Sequence, residues 1–182
     1  MKKILVIGAG RSSTSLIKYL LDNSTQEDWL VSVVDFNIEL AQKKINNHPQ
    51  GSYFKLDAND DIERRKFISK SNVVISMLPA NMHYKVLKDA VDCGVHVITP
   101  SYITEEIKSL NQSALENKVL VLNELGLDPG IDHMSAKKMI DQVELNGGKI
   151  IGFESFTGGL VAPESDDNPW NYKFTWNPRN VV

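Results

Sequence analysis

Four consecutive apolar residues, Ile4-Leu-Val-Ile7, run directly into Gly8-Ala-Gly-Arg-Ser-Ser13, and Leu16, Ile17, Leu20 and Leu21 then repeat at helical spacing. A continuous apolar run rich in β-branched residues has no polar face. It reads as a strand covered on both sides, the condition inside a parallel sheet. A strand joined to a helix through Gly-x-Gly-x-x-small is also the setting that a dinucleotide fingerprint demands. Gly8 permits the tight turn, and Gly10 lets a pyrophosphate approach the backbone. The helix N-terminus offers unsatisfied N–H groups and partial positive charge. The third position, which governs helix–strand packing, is Ser13 rather than glycine, and serine is small enough to fit.

The alternation continues along the chain. Further strands are expected at 30–34, 52–56, 73–78, 95–98 and 119–122, the second and third strands of the chain ending on Asp35 and Asp57 and the fourth stopped by Pro79. Helices are expected near 38–46 and 60–69, then along the stripe Met82, Val86, Ala90 and Val91. Another begins at an N-cap, Thr104, with Glu105 and Glu106 in the first turn and Ile107, Leu110 and Ala114 inward. Strand–helix alternation with right-handed crossovers gives an α/β fold, a Rossmann-type doubly wound parallel sheet. The 182 residues suffice for such a domain plus part of another. Composition changes after Gly147-Gly148, so residues 1–148 are assigned to an NAD(P)-binding domain and 149–182 to the beginning of an α+β substrate or dimerisation domain. Residues 149–156 read as a strand. The stretch that follows is rich in Pro, Gly, Asn and aromatics, with Trp170 and Trp176, and reads as a surface that covers something.

In a doubly wound sheet the ligand crevice lies at the carboxyl ends of the strands. Asp35 stands where an acid can accept from both ribose hydroxyls and repel a 2′-phosphate. Phe36 and Asn37 follow it instead of an arginine, so NAD is expected ahead of NADP. Asp57 reaches the adenine edge or serves a turn. Met77, Leu78 and Pro79 offer backbone and apolar contacts, and Pro100, Ser101 and Tyr102 end the fifth strand on the same edge. After the sixth strand comes Asn123-Glu-Leu-Gly-Leu-Asp-Pro-Gly-Ile-Asp-His133, a mixture that no core requires. Asp128 reads as an N-cap with Pro129 at the first helical position, and the helix is expected to run to about Leu145 with Ala136, Met139, Ile140 and Val143 inward. His83, His96 and His133 read as structural, and Cys93 as a small buried residue. Charge narrows the partners: 20 basic and 23 acidic residues leave −3, no broad reason to bind nucleic acid or an anionic membrane. One cysteine excludes an internal disulfide and a zinc cluster, no metal site is expected, and a reducing, cytoplasmic setting fits. No stretch is long enough to span a bilayer.

The 123–133 loop resembles the signature of the saccharopine dehydrogenases, L-glutamate-forming type. Val74-Ile-Ser-Met-Leu-Pro79, Val97-Ile-Thr-Pro-Ser-Tyr-Ile103, Gly158-Gly-Leu-Val-Ala-Pro-Glu164 and Asp167-Asn-Pro-Trp-Asn-Tyr-Lys-Phe-Thr-Trp-Asn-Pro-Arg179 are similar to that family too. The resemblance implies an NAD(P)-linked enzyme of lysine metabolism that interconverts saccharopine with L-glutamate and 2-aminoadipate 6-semialdehyde, moving hydride at a C–N carbon through an imine. It implies cofactor contacts at Gly10, Arg11, Ser12, Ser13, Asp57, Ala58, Leu78, Pro100, Ser101, Leu127, Asp128 and Pro129, and substrate contacts at Ser101, Tyr102 and Asp128. Arg179 is the one evident clamp for a substrate carboxylate, and Asp128 the best candidate for a catalytic group. A homodimer is expected. Family members are much longer, so the substrate domain is expected to continue past Val182, and this chain to bind NAD(H) with little or no turnover. Two rivals are a carboxynorspermidine-type synthase, which would want a more acidic pocket, and a non-catalytic NAD-sensing module.

Overall fold

The strands β1 (Lys2–Ile7), β2 (Trp29–Asp35), β3 (Gly51–Lys55), β4 (Val73–Ser76), β5 (His96–Ile98) and β6 (Val121–Leu122) form one parallel sheet in the order β3-β2-β1-β4-β5-β6. Among the described residues seven α-helices connect or follow them: α1 (Thr14–Asn23), α2 (Ile38–Ile45), α3 (Asp61–Ile68), α4 (His83–Asp92), α5 (Glu105–Lys108), α6 (Asn111–Glu116) and α7 (Ile131–Leu145). This is a computed structural model, and it describes residues 1–156 and 158–174. Two compact units are present, Met1–Met134 and Ser135–Val182. The first is the Rossmann-type sheet. Its strand order reverses between β1 and β4, so the switch-point crevice opens above their carboxyl ends.

The apolar run at the N-terminus behaves as its composition requires. Ile4 and Val6 face one layer with Ile17, Leu20 and Leu21 of α1 and Ala41 and Ile45 of α2. Leu5 and Ile7 face the other with Ile68 of α3, Val86, Leu87 and Ala90 of α4 and Ile107 of α5. Both faces of β1 are therefore buried. Each such side chain contributes about 1.5–3 kcal/mol of hydrophobic stabilisation before entropy is counted. The third strand reads weakly in sequence because it is an edge: Phe54 remains 43% exposed and leans on Phe67 at 5.4 Å between ring centroids.

Several expectations need correction. The helix expected from Thr104 onward is two short helices, α5 and α6. The Thr104 cap on Ile107 N–H (3.3 Å) and the burial of Ile107, Leu110 and Ala114 hold regardless of the break. Residues 149–156 form no ladder among the described residues. Ile151 is 96% exposed, and alternation without a neighbouring strand makes no sheet. The second unit contains most of α7, a turn of 3-10 helix at Pro163–Ser165 and an antiparallel bridge between Leu160 and Tyr172. No residue of α7 is buried, and Met139, expected inward, is 69% exposed. Cys93 is half-buried at the end of α4 rather than buried. Sequence reasoning also missed a buried ion pair. Arg64 donates through Nε to Asp89 Oδ2 (2.8 Å) and through Nη1 to the Ala58 carbonyl (2.6 Å), with both charged residues in the core of the sheet's α3–α4 layer.

Candidate functional site

The glycine turn forms the floor of the crevice. Gly8 has φ 106°, and a Cβ there would meet the Met77 carbonyl oxygen at 2.8 Å, so both backbone shape and the close pass of the β4 end require glycine. Gly10 differs: its φ is −64°, and nothing lies within 4 Å of where its Cβ would be. That space adjoins a turn of 3-10 helix, Arg11–Ser13, which leads into α1 with no side-chain cap at either start. The Ser13 amide and hydroxyl both turn back to the Gly10 carbonyl (3.3 and 2.9 Å), while the amides of Arg11 and Ser12 find no acceptor among the described residues. Unsatisfied N–H groups beside open space at a helix start are an anion site. A cofactor diphosphate fits these residues.

Asp35 ends β2 and braces the turn. Its Oδ2 accepts from Ala9 N–H at 2.6 Å and its Oδ1 from Asn37 N–H at 2.8 Å. Asn37, not Asp35, caps α2, accepting from Glu39 N–H. A cavity of about 340 Å³ gathers Gly8, Asp35, Phe36, Asp57, Ala58 and Leu78, so residues expected from four different strand ends share one wall. Asp57 Oδ1 accepts from Asn59 N–H (2.9 Å), so the turn and the cavity wall are one position. Met77 continues β4, its N–H bonding to the Ile7 carbonyl at 2.8 Å. Pro79 starts a 3-10 turn, Ala80–Met82, that leads into α4. Beneath this edge His83 is buried, its Nδ1 2.9 Å from Ser76 Oγ and 3.1 Å from Thr99 Oγ1. Burial pushes its pKa down to about 4, so the ring is neutral. His96 Nδ1 accepts from Leu120 N–H and is structural, as expected.

The loop after β6 is held by two glycines rather than by a helix cap. Gly126 N–H donates to the Pro129 carbonyl (2.8 Å) and Ile131 N–H to the Gly126 carbonyl (2.9 Å). Gly130 has φ 148°, and a Cβ on it would lie 2.1 Å from Gly126 oxygen. The helix accordingly begins at Ile131, later than the expected Asp128–Pro129 start. The Asp128–Pro129 peptide is cis, and it is Asp132 whose carboxylate accepts from Gly130 N–H (3.0 Å). Asp128 is thereby released from capping. It accepts instead from the Tyr102 hydroxyl at 3.2 Å, so two expected substrate residues meet. Pro100 packs on Gly126, and the Ser101 carbonyl accepts from Glu124 N–H at 3.0 Å. Pro129 is buried and Leu127 is 76% exposed at the tip. Arg179 and Trp176 lie outside the described residues.

Charge at this loop is acidic. Burial raises the Tyr102 phenol pKa, and the charges of Asp128, Asp132 and Glu124 raise it further. His133 Nδ1 lies 2.8 Å from Asp132 Oδ1, and that hydrogen bond and charge lift the imidazole above its ordinary value, with Asp128 and Glu124 adding to the shift. Burial works to raise the Asp132 carboxyl, but hydrogen bonds from His133 and Gly130 outweigh it and hold the group low. Asp128, Asp132 and His133 place one ligand atom each within 4.8 Å of one another at the surface, and nothing else there points to an ion.

Comparison with known proteins places this geometry. Residues 4–122 match the family model described as saccharopine dehydrogenase NADP binding domain, and residues 126–182 match saccharopine dehydrogenase C-terminal domain. A saccharopine dehydrogenase [NADP(+), L-glutamate-forming] of Pyricularia oryzae is 39% identical over 181 residues, covering all of this chain and 39% of that protein. Bovine mitochondrial alpha-aminoadipic semialdehyde synthase is 38% identical over 181 residues, 19% of its length. The structure of apo saccharopine dehydrogenase (L-Glu forming) from Saccharomyces cerevisiae superposes with a TM-score of 0.83 at 38% identity, covering all of this chain and 40% of that one. This chain thus spans about two fifths of the length of its fungal relatives. With one family model covering residues 4–122 and a second beginning within the loop after β6, the chain belongs to the saccharopine dehydrogenase family.

Proposed function

We propose that this chain is the cofactor domain and one wall of the substrate site of an NAD(P)-dependent oxidoreductase that interconverts saccharopine with L-glutamate and 2-aminoadipate 6-semialdehyde. The observation that carries this reading is the shared edge. The uncapped Gly8–Ser13 turn lies at the β1 end, and the Tyr102–Asp128 pair lies beyond the ends of β5 and β6. A bound nicotinamide supplies hydride transfer at the substrate's C–N carbon. The chain's own residues bind and orient. The Arg11 and Ser12 amides take the diphosphate, Gly8, Asp57, Ala58 and Leu78 wall the nucleoside, and Asp128 with Tyr102 holds the substrate amine. Ser101 and Arg179 complete the substrate contacts in this reading.

NAD is proposed ahead of NADP, although the relatives' names specify NADP. A carboxylate has about four acceptor sites. The Ala9 and Asn37 amides occupy two of the Asp35 sites and leave two for ribose hydroxyls, with a charge that repels a 2′-phosphate. The proposed setting is a reducing, cytoplasmic one, as a homodimer. One observation favours a second substrate: Glu124, Asp128 and Asp132 all act on the Tyr102 phenol, the acidic surroundings that the diamine adduct of a carboxynorspermidine-type synthase would use. The test titrates NADH and NADPH against the chain by nicotinamide fluorescence. It then follows nicotinamide absorbance with saccharopine and with carboxynorspermidine in a protein that carries this chain. Reduction of NAD by saccharopine is expected. Binding of nucleotide without turnover of either substrate would leave a sensing module, and no binding would end the cofactor reading.

A further inference from the structure

The crevice accounts for the glycine turn from the front. Behind it stands a residue that nothing above has used. Lys44, on α2, donates from Nζ to the Gly10 carbonyl, to Ser13 Oγ (3.1 Å) and to Thr14 Oγ1 (2.8 Å). An ammonium has three N–H groups, and the three acceptors lie in the glycine turn and at the start of α1. The side chain is half-buried, yet no carboxylate lies within ion-pair distance of Nζ among the described residues. Burial holds its pKa below the usual lysine value, against the opposing charge of Asp35. A partly desolvated cation without a counter-ion costs stability, and the same turn presents unsatisfied amides to an anion on its other side.

We propose that Lys44 is a positioning residue for the dinucleotide turn, holding the Gly10 carbonyl from behind so that the Arg11 N–H is aimed at and strengthened toward the cofactor diphosphate. The proposal rests on the cofactor reading above. The Gly10 carbonyl and the Arg11 N–H belong to one planar trans peptide and point in opposite directions. A charged donor on the oxygen polarises that peptide, which makes its N–H a better donor. The Arg11 amide has no acceptor among the described residues, and the space beside Gly10 is open. Lys44 therefore fixes the direction of the amide and adds positive charge behind the anion site without touching the ligand.

The experiment compares the unaltered chain with Lys44→Met, which keeps the stem and the helix propensity, and with Lys44→Arg, which keeps the charge. Dissociation constants for NADH and ADP-ribose are measured across a salt series, and melting temperature is recorded in parallel. Lys44→Met is expected to weaken both ligands about fivefold and to flatten the salt dependence. Melting should move by less than about 3 °C, and Lys44→Arg should restore most of the affinity and the salt slope. Unchanged affinity in Lys44→Met overturns the proposal, as does a loss of melting temperature with an unchanged salt slope, the result of a purely structural strap. If the unaltered chain binds neither NADH nor NADPH, the cofactor reading itself falls and the role of Lys44 falls with it.

Discussion

Asp35→Ala tests two roles at once, and the structure separates them. The carboxylate accepts from Ala9 N–H at 2.6 Å and from Asn37 N–H at 2.8 Å. Ala9 is 1% exposed, so after truncation its amide has no water to turn to, whereas Asn37 is at the surface and resolvates. A buried amide left unsatisfied costs about 1–3 kcal/mol, and the lost bond at the surface adds little. The expected penalty is therefore about 2 kcal/mol, a fall in melting temperature of roughly 4–8 °C for a domain of this size. The cofactor effect is independent of that penalty, because it is read as a ratio of dissociation constants for NADPH and NADH on the same folded variant. Removing the charge should bring the ratio toward unity, mainly by tightening NADPH. Asp35→Asn keeps one acceptor and should recover part of the stability while still losing discrimination. Thermal melting by circular dichroism and fluorescence titration with both nucleotides give the two numbers. An unchanged ratio refutes the specificity argument and leaves Asp35 as a brace for the turn. A melting temperature within about 1 °C of the original refutes the brace.

Three further outcomes follow from the same geometry. His83 has a folded pKa of about 4 against an ordinary value near 6.5, so the unfolded chain binds the extra proton between those limits. Its contribution, up to about 3 kcal/mol, is complete above pH 6.5 and is lost as pH falls toward 4. Urea melts across that window should show a shallower acid limb in His83→Gln than in the original, and parallel limbs would show that His83 does not titrate there. Arg64→Met strands the Asp89 carboxylate in the core, and because Arg65 still approaches Asp89 at 3.6 Å the loss should sit near the low end for a broken buried pair, about 3 kcal/mol. Arg64→Met with Asp89→Leu should regain much of it in denaturant melts, and a double variant weaker than the single one contradicts this. Tyr102→Phe should leave the NADH dissociation constant within about twofold while lowering kcat with saccharopine roughly tenfold. A change confined to NADH affinity would place Tyr102 at the cofactor instead.

What could be read in the sequence was what local chemistry decides alone. The Ile4–Ile7 run identifies a strand with two covered faces, because β-branched residues without a polar neighbour have nowhere else to go, and both core layers confirm it. Gly8 is legible because a tight strand-to-helix turn reaches φ 106°, beyond the φ of 46° at Asn46 or 56° at Lys118, and leaves only glycine. The helix after the 123–133 loop was misread at its start because the deciding contact is the backbone approach of Gly126 and Gly130, which no capping rule contains. Arg64 was invisible for another reason. Its partner lies 25 residues away on α4, and an arginine beside Arg65 in a helix of poor periodicity looks solvated until the two helices pack. Lys44 was likewise an ordinary lysine of a polar helix until α2 was laid against α1. Residues 149–156 show the converse failure: the pattern of a strand is present, and pairing, which is not local, is absent among the described residues.

The polarity of the first unit's sheet edge fits the proposed chemistry. At the β1 end the backbone presents N–H groups with Lys44 behind them and the exposed Arg11 beside them, so this end is electropositive. Past the ends of β5 and β6 the order inverts, with Glu124, Asp128 and Asp132 set around the Tyr102 hydroxyl. In the proposed reading, the first end suits a diphosphate and the second a protonated amine or iminium. Reversing the ligand would put anion on carboxylates and cation on amides, each costing more than a good hydrogen bond returns. An Asp128 that capped a helix would have spent its charge on backbone. With the helix start held by the Gly126–Gly130 contact instead, Asp128 accepts from the Tyr102 phenol. Gly130→Ala, which would bring a methyl group against the Gly126 backbone, should therefore disturb the Tyr102–Asp128 pair while leaving the glycine turn at β1 intact.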